Sequence, residues 1–397
     1  MHEQSELSFV DLISPIGVAE FFANIWEKRV EIVSRGSPDH FRGCLTIGDV
    51  DRAIASLGLS FPDVRLVNTA GAPETNGYTR PDGRIIPTAV MQLFADGATI
   101  VLNQMHRHFD KLAALCRALE CELGFAFQTN LYLSPPHSGG FKVHYDTHDV
   151  FVMQLSGYKE WELYESPLEL PLPGQHHDET PVQPGNTTSS FKLNQGDLAY
   201  IPRGIYHSAR SGDVQSLHIT LGALPKTWSE LMIEAVAELS QRDIEFRRAL
   251  PIGFGVGRMN LKEAKQIFDR LLRRASVSAD FERVAAVMAR EFIRSRDAGA
   301  LGQLAEVAGL GTIGLGTVVA RRPDLLFLVA EQADQIDIQL AQTTIQLPMN
   351  VKSALTQLLS GRPIVVSDIA GPLDDAGKIV LAKRLVKEGV LRTIAPD

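Results

Sequence analysis

Cysteine is scarce in this chain. Among 397 residues there are three, Cys44, Cys116 and Cys121, an odd number with no Cys-x-x-Cys pair. This excludes a paired disulfide framework and a thiolate zinc site of the usual spacing, and it fits reduced thiols in a reducing compartment. Cys116 and Cys121 sit five apart in a helical stretch and so do not share a helix face. Positive charge is also in short supply: 47 acidic residues face 39 basic ones, a net charge of -8. Such a surface has no overall attraction for nucleic acid, which is held by clustered Lys and Arg. No apolar run reaches the ~18 residues that a membrane helix needs. The N-terminus, MHEQSELSFVDLI, lacks the basic-then-apolar secretory pattern. Internal repeats and low-complexity segments are missing too. These absences predict a cytoplasmic protein with no membrane span. What remains is an ordinary globular mix, 45% hydrophobic and 22% charged, long enough for two or three domains.

The first hundred residues read as short helices and strands. IGVAEFFANIWEKR, after Ser14-Pro15, has Val18, Phe21, Phe22 and Ile25 on one helical face. VEIV reads as a strand, and LTIGDVDRAIASLG as a helix capped at Thr46 or a neighbour. Residues 97–104 read as a buried strand and 107–123 as a helix. From Phe125 the period changes to two, in short strands separated by Gly and Pro, the pattern of an antiparallel barrel or sandwich. Residues 166–190 form a Pro- and Gly-rich loop of the length seen in functional lids or disordered segments. After Pro225 three amphipathic helices follow. The closing VKSALTQLLSG, DIAG and AGKIVLAKRLVKEGVLRTI give helix, tight turn, helix and strand, the order of a winged helix. From residue 312 onward nine acidic residues balance the basic ones from Arg321 to Arg392, so DNA binding is not expected of it.

One stretch carries the chemistry. Residues 139–161 read GGFKVHYDTHDVFVMQLSGYKEW. As a strand, this would place His144, Asp146 and His148 on one face, alternating with Val143, Tyr145 and Thr147. His144 and Asp146 could then share one metal ion. The candidate third ligand is His207, sixty-three residues later in GDLAYIPRGIYHSA. There Gly196-Asp197 signals a hairpin turn, and Pro202-Arg203-Gly204 a second turn that starts the histidine's strand. Two imidazoles and a carboxylate leave coordination positions open, as in non-haem Fe(II) oxygenases. A structural zinc site would close all four positions, usually with thiolate. A 2-oxo acid could chelate through its keto and carboxylate oxygens, and its far carboxylate then needs a fixed cation. Lys159 lies on the next strand, between Tyr158 and Trp161 in sequence neighbourhood, and can pair with it. Asn130 and Tyr132, two apart on the preceding strand, and Thr220 beyond the distal histidine are its candidate partners. His148 reads as a core or supporting group and His218 as a barrel-interior residue. His176 and His177 read as solvated on the loop, and His106 and His108 as structural or surface groups.

FFANIWEKR, FADGATIVLNQ, the segment from TNLYLSPPHSGGFKVHYD to KEWELY, and FKLNQGDLAYIPRGIYHSARSGDVQSLHITLG together resemble the JmjC-type ribosomal oxygenases, the cupin-like protein hydroxylases. The resemblance runs from about residue 15 to 225. It implies an α+β chain: a double-stranded β-helix (cupin/JmjC jelly roll) core, a helical dimerisation region and a C-terminal winged helix, divided as 1–225, 226–310 and 311–397. It implies that His144, Asp146 and His207 hold Fe(II), and that Lys159 binds the distal carboxylate of 2-oxoglutarate with Asn130 and Thr220 assisting. Lys159 stands where some members carry Arg. The implied reaction uses dioxygen to hydroxylate an Arg or His side chain of a ribosomal or other protein, in a homodimer. Two further readings stay open. One is the same chemistry on a biosynthetic peptide or small metabolite. The other is a non-catalytic regulator that places its winged helix on DNA.

Overall fold

The computed structural model describes residues 7–68, 73–175, 185–297, 299 and 301–394. The chain divides into two units, Met1–Pro225 and Lys226–Asp397. In the first, α1 (Phe9–Ile13), α2 (Val18–Asn24) and α3 (Ile47–Ser56) come early. Ser8 and Thr46 each close a capping box with the acid three residues on, Asp11 and Asp49, which satisfies orphan amides at the helix start. The helix expected across IGVAEFFANIWEKR stops at Asn24, and Glu27 in the left-handed region turns the chain into β1 (Glu31–Val33). β2 (Val64–Val67), α4 (Pro87–Ala95), β3 (Thr99–Leu102) and α5 (Asp110–Leu123) follow. Cys116 is buried and Cys121 exposed on α5, as their five-residue spacing implies.

Seven strands then run from β4 to β10: β4 (Ala126–Ser134), β5 (Asp149–Ser156), β6 (Tyr158–Tyr164), β7 (Thr187–Asn194), β8 (Leu198–Ile201), β9 (Tyr206–Ser211) and β10 (Ser216–Leu224). Together with β1, β2 and β3 they form a seven-stranded sheet, ordered β1-β8-β5-β10-β4-β3-β2, and a three-stranded sheet, ordered β7-β6-β9. Strand parity divides the side chains. On β5, Phe151 and Met153 join the core that the large sheet shares with the N-terminal helices. Val150 and Val152 point instead to a second core with Trp161 and Leu193 of the small sheet. Both faces of the large sheet are therefore covered, which is why DVFVMQL is apolar without a break. β10 alternates in the same way. Leu217, Ile219 and Leu221 belong to the first core, so His218 and Thr220 face the space between the sheets.

Two expectations need correction. Residues 143–148 are not a strand: β5 begins at Asp149, and within 143–148 the pairing is a single antiparallel bridge from His144 to His207. The Asp146 carbonyl accepts from Gly204 N–H (2.9 Å) rather than from a ladder partner. This ties the segment to the turn between β8 and β9 and prevents regular pairing. The loop also ends earlier than residue 190, because β7 starts at Thr187. His176 and His177 lie outside the described residues.

In the second unit, α6 (Trp228–Arg242), α7 (Leu261–Ser278) and α8 (Phe281–Arg294) are joined by charge. Glu238 of α6, almost fully buried, accepts from Arg242 and from Arg283 of α8 (2.6 Å each). After α9 (Gln303–Ala308) come β11 (Val318–Arg321), β12 (Leu328–Glu331), β13 (Gln335–Gln339), β14 (Thr344–Pro348), α10 (Lys352–Leu358), β15 (Ile364–Val365), α11 (Asp375–Lys387) and β16 (Leu391–Ile394). They make two three-stranded sheets, β15-β11-β16 and β12-β13-β14, over a core that includes Leu355, Leu381 and Leu385. The helix–turn–helix–strand order read at the end of the chain is α10, α11 and β16. The four strands ahead of α10 were not anticipated.

The turn between β7 and β8 is a demanding point. Gly196 has φ +88°, and a Cβ there would fall onto the Ser37 carbonyl oxygen. Its neighbour Asp197 is buried and accepts from the Arg35 and Asn194 amides (2.9 and 3.1 Å). Gly196→Ala is expected to destabilise the protein by more than ~1 kcal/mol, read from the shift of the denaturation midpoint. An unchanged midpoint would contradict this account.

Candidate metal and co-substrate site

His144, Asp146 and His207 each offer an atom to one point: their ligand-capable atoms lie within 4.8 Å of one another. The backbone bridge sets the two histidines. His144 N–H donates to the His207 carbonyl (3.2 Å) and His207 N–H to the His144 carbonyl (2.8 Å). Their rings stand 4.5 Å apart, and His207 Nε2 is 3.7 Å from Asp146 Oδ2. The other ring nitrogens are engaged as well. His144 Nδ1 bonds the Lys142 carbonyl (2.8 Å) and His207 Nδ1 the Ile205 carbonyl (2.9 Å). A carbonyl only accepts, so both Nδ1 atoms carry the proton and both Nε2 lone pairs are left for the site. Burial, with His144 nearby, pushes the His207 imidazole down to about 4. Burial works against the Asp146 charge, but the imidazoles of His148, His144 and His207 outweigh it and hold the carboxyl below its ordinary range. Two imidazoles whose Nε2 atoms face the site and one carboxylate result, a donor set that fits a divalent first-row metal with positions to spare.

The two halves of this triad come from segments far apart in sequence, and a buried network joins them. Asp149, fully buried, accepts from Arg203 Nη1 (2.6 Å) and from the Tyr200 hydroxyl (2.8 Å). Arg203 also donates to Glu27 (2.6 Å), whose own N–H donates to the Tyr200 hydroxyl (2.9 Å). Asp149 follows Asp146 by three residues and Arg203 precedes His207 by four.

A cleft opens at the triad between the two sheets. Lys159, on β6, lines it and is 2% exposed. No acidic side chain pairs with it among the described residues, and burial pushes its ammonium down to about 7. Tyr132 and Thr220 line the same cleft. Asn130 sits one step behind: its Oδ1 accepts from the Gln104 amide (3.0 Å), and with Thr220 it hydrogen-bonds the Tyr132 hydroxyl. Burial and the Asp146 charge push that phenol up, against those two hydrogen bonds. His148 is not among the cleft residues; its ring packs over Gly222. His106 Nδ1 accepts from the Thr129 amide (3.2 Å), a structural bond. His218 and Trp161 both line the cleft, and sequence reading gave neither a role there. The signal existed: each lies two residues from a chosen one, His218 from Thr220 and Trp161 from Lys159, so strand parity puts them on the same face.

The lone Lys159 ammonium has a pH signature. The unfolded chain keeps that proton up to about the ordinary 10.5, while the folded protein releases it near 7. Below about pH 7 both states are charged and the burial penalty is fully present; between the two values stability rises with pH. Lys159→Met is therefore expected to stabilise the ligand-free protein by on the order of a few kcal/mol at about pH 6, with the gain shrinking towards pH 9. Urea titrations of both proteins at the two pH values measure it. A gain equal at both, or a loss, would count against the unpaired ammonium.

Residues 102–231 match the JmjC domain family. In sequence, the chain is 31% identical over 258 residues to ribosomal oxygenase 2 of Rattus norvegicus, covering 61% of this chain and 54% of that protein. It is also 31% identical over 258 residues to the Drosophila melanogaster bifunctional lysine-specific demethylase and histidyl-hydroxylase NO66, covering 61% of this chain and 38% of that one. The chain thus spans about half the length, or less, of these curated relatives. In structure it resembles E. coli ycfD, with TM-score 0.58, 18% identity, and coverage of 96% and 98% of the two chains. A second YcfD structure, a ribosomal oxygenase in complex with cobalt and 2-oxoglutarate, gives TM-score 0.55 at 17% identity, with coverage of 96% and 99%. Among the described residues no helix is long and apolar enough to cross a membrane. Residues 102–231, which carry the triad and the cleft, thus match the JmjC domain family, in a chain that is similar to the ribosomal oxygenases and shares the YcfD fold.

Proposed function

We propose that this protein is an Fe(II)- and 2-oxoglutarate-dependent dioxygenase that hydroxylates an Arg- or His-type side chain of a ribosomal or other protein. One observation carries the reading: an open three-ligand centre and a buried, unpaired lysine face the same cleft. His144, Asp146 and His207 would hold Fe(II). Lys159 would pair with the far carboxylate of 2-oxoglutarate, with Tyr132 and Thr220 beside it and Asn130 supporting Tyr132. Bound Fe(II) supplies the oxidative chemistry: dioxygen gives one atom to succinate as carbon dioxide leaves, and the other to the substrate carbon. The residues position and exclude water. Val150, Val152, Ile201 and Trp161 wall the cleft with apolar surface, which keeps the reacting groups dry. The names of the relatives and the cobalt and 2-oxoglutarate bound to YcfD support the cofactors and the ribosomal substrate class. The acidic balance favours a basic protein partner. The protein acts in the cytoplasm in this reading.

Residues 1–225 would be the catalytic domain, 226–310 a helical region that forms a homodimer, and 311–397 a winged-helix-like domain that does not read DNA. The dimer is supported by α7, which buries no side chain among the described residues and exposes Leu261, Phe268 and Leu272. The double variant Phe268→Glu, Leu272→Glu is expected to sediment as a monomer where the parent sediments as a dimer. Identical sedimentation would remove α7 from the interface.

The activity is tested by loading the protein with Fe(II) under anaerobic conditions, admitting oxygen and following 2-oxoglutarate turnover with a ribosomal-protein extract. The expected result is extract-stimulated succinate and a one-oxygen mass gain on one protein, both lost in His207→Ala. Succinate that the extract does not stimulate would move the substrate to a peptide or metabolite. No succinate from folded, iron-loaded protein would sink the catalytic reading and bring the winged helix forward.

A further inference from the structure

We infer that His218 is a co-substrate-binding residue: its imidazole hydrogen-bonds the far carboxylate of the 2-oxo dicarboxylic acid in the cleft, beside Lys159. This rests on the reading of the cleft given above. His218 lies on β10, is 2% exposed, and lines the cleft. Its ring is clamped. It stacks flat on Tyr132, with centroids 4.7 Å apart and planes 2° from parallel, and it meets Trp161 edge to face at 5.9 Å. Its polar atoms are nevertheless unused. Nδ1 is buried without a partner, and neither ring nitrogen bonds a described residue. Buried polar groups are nearly always satisfied, and an orphaned one carries its full desolvation penalty. A ring stacked on Tyr132 and met edge to face by Trp161, with its nitrogens unbonded to the described residues at the wall of a cleft, is built for a ligand.

The charge state suits the role. Burial first, and then the Lys159 charge, hold His218 well below its ordinary range, so it is neutral and carries one N–H. Lys159 then provides the single positive charge that a carboxylate needs, and His218 adds direction without a second buried charge. Tyr132 gains as well, since the stacked imidazole fixes the ring whose hydroxyl Thr220 and Asn130 hold.

The experiment uses the full chain loaded with Zn(II), which binds co-substrate without turnover, and calorimetric titration with 2-oxoglutarate. His218→Phe keeps a ring on Tyr132 and removes both nitrogens. His218→Gln keeps an N–H and gives up the stacking. The dissociation constant is expected to rise ~10-fold or more in His218→Phe, with about a threefold change or less in His218→Gln. A 2-oxo acid without the far carboxylate, 2-oxobutyrate, serves as a second probe. Its weak binding, followed by competition, is expected to be the same in the parent and in His218→Phe. Thermal melts and Zn(II) titration establish that each variant is folded and metal-competent. Unchanged 2-oxoglutarate affinity in His218→Phe overturns the inference. So does an equal loss for both acids, which would mark His218 as a structural ring alone. If the parent protein binds no 2-oxoglutarate while holding Zn(II), the reading of the cleft fails and this assignment falls with it.

Discussion

The ion pair between Arg203 and Asp149 is the constraint on which the site depends. It joins the segment that ends in Asp146 to the turn that leads to His207, and through Glu27 it ties both to the N-terminal helical layer. Asp149 has no solvent to fall back on. Losing one member of such a pair leaves the other charge buried alone, typically ~3–5 kcal/mol of destabilisation. Yet a buried pair adds little to stability over well-packed apolar groups. Its value here is geometric: bonds of 2.6 and 2.8 Å to one carboxylate leave little freedom to the two loops whose side chains must meet within 4.8 Å.

That geometry explains why the triad segment is irregular. A true strand from Val143 to Thr147 would continue β5 along the large sheet, with His144 and Asp146 on the face of Val150 and Val152 but not bridged to the small sheet. The chain instead makes one bridge to His207 and gives the Asp146 carbonyl to Gly204. The bridge belongs to the small sheet's side of the cleft, since His207 pairs with Leu163 of β6. The metal-capable groups and Lys159 thus reach a common space from the edge and the middle of one small sheet, while Tyr132, His218 and Thr220 reach it from the large one.

Where period two ruled, the sequence could be read closely. β4, β6, β9 and β10 are long enough for parity to decide each side chain's face, so Lys159, Tyr132 and Thr220, which line the cleft, could be placed on its face by counting. The Thr46 cap was legible because its Asp49 partner follows three residues on. The stretch 143–148 misled because a bridge needs only one pair of residues in register, while alternating residue types imitate a whole strand. The strands β11 to β14 were missed for the opposite reason: they have four or five residues each and make small separate sheets, so too few periods exist to stand out. His218 was placed correctly as an interior residue, but its orphaned nitrogen is a property of what surrounds it, which no spacing along the chain records.

The cleft is unsatisfied at both ends. At one, three ligand-capable groups with oriented lone pairs would leave coordination positions open on a metal they held. At the other, an ammonium without a counter-ion and an imidazole without a hydrogen-bond partner are held in apolar packing. Each end alone would be a local defect with a structural penalty. Together, facing one cleft, they fit the occupants proposed above: a metal at one end, and an acid that would chelate it while presenting a second carboxylate to Lys159 and His218. The neutral charge of His218 matters to this complementarity. A second cation would repel Lys159 in a low-dielectric space, whereas a neutral donor lets one lysine balance one carboxylate. In the proposed reading, the burial penalty carried by Lys159 and His218 and a preference for a dicarboxylic 2-oxo acid would share one physical origin.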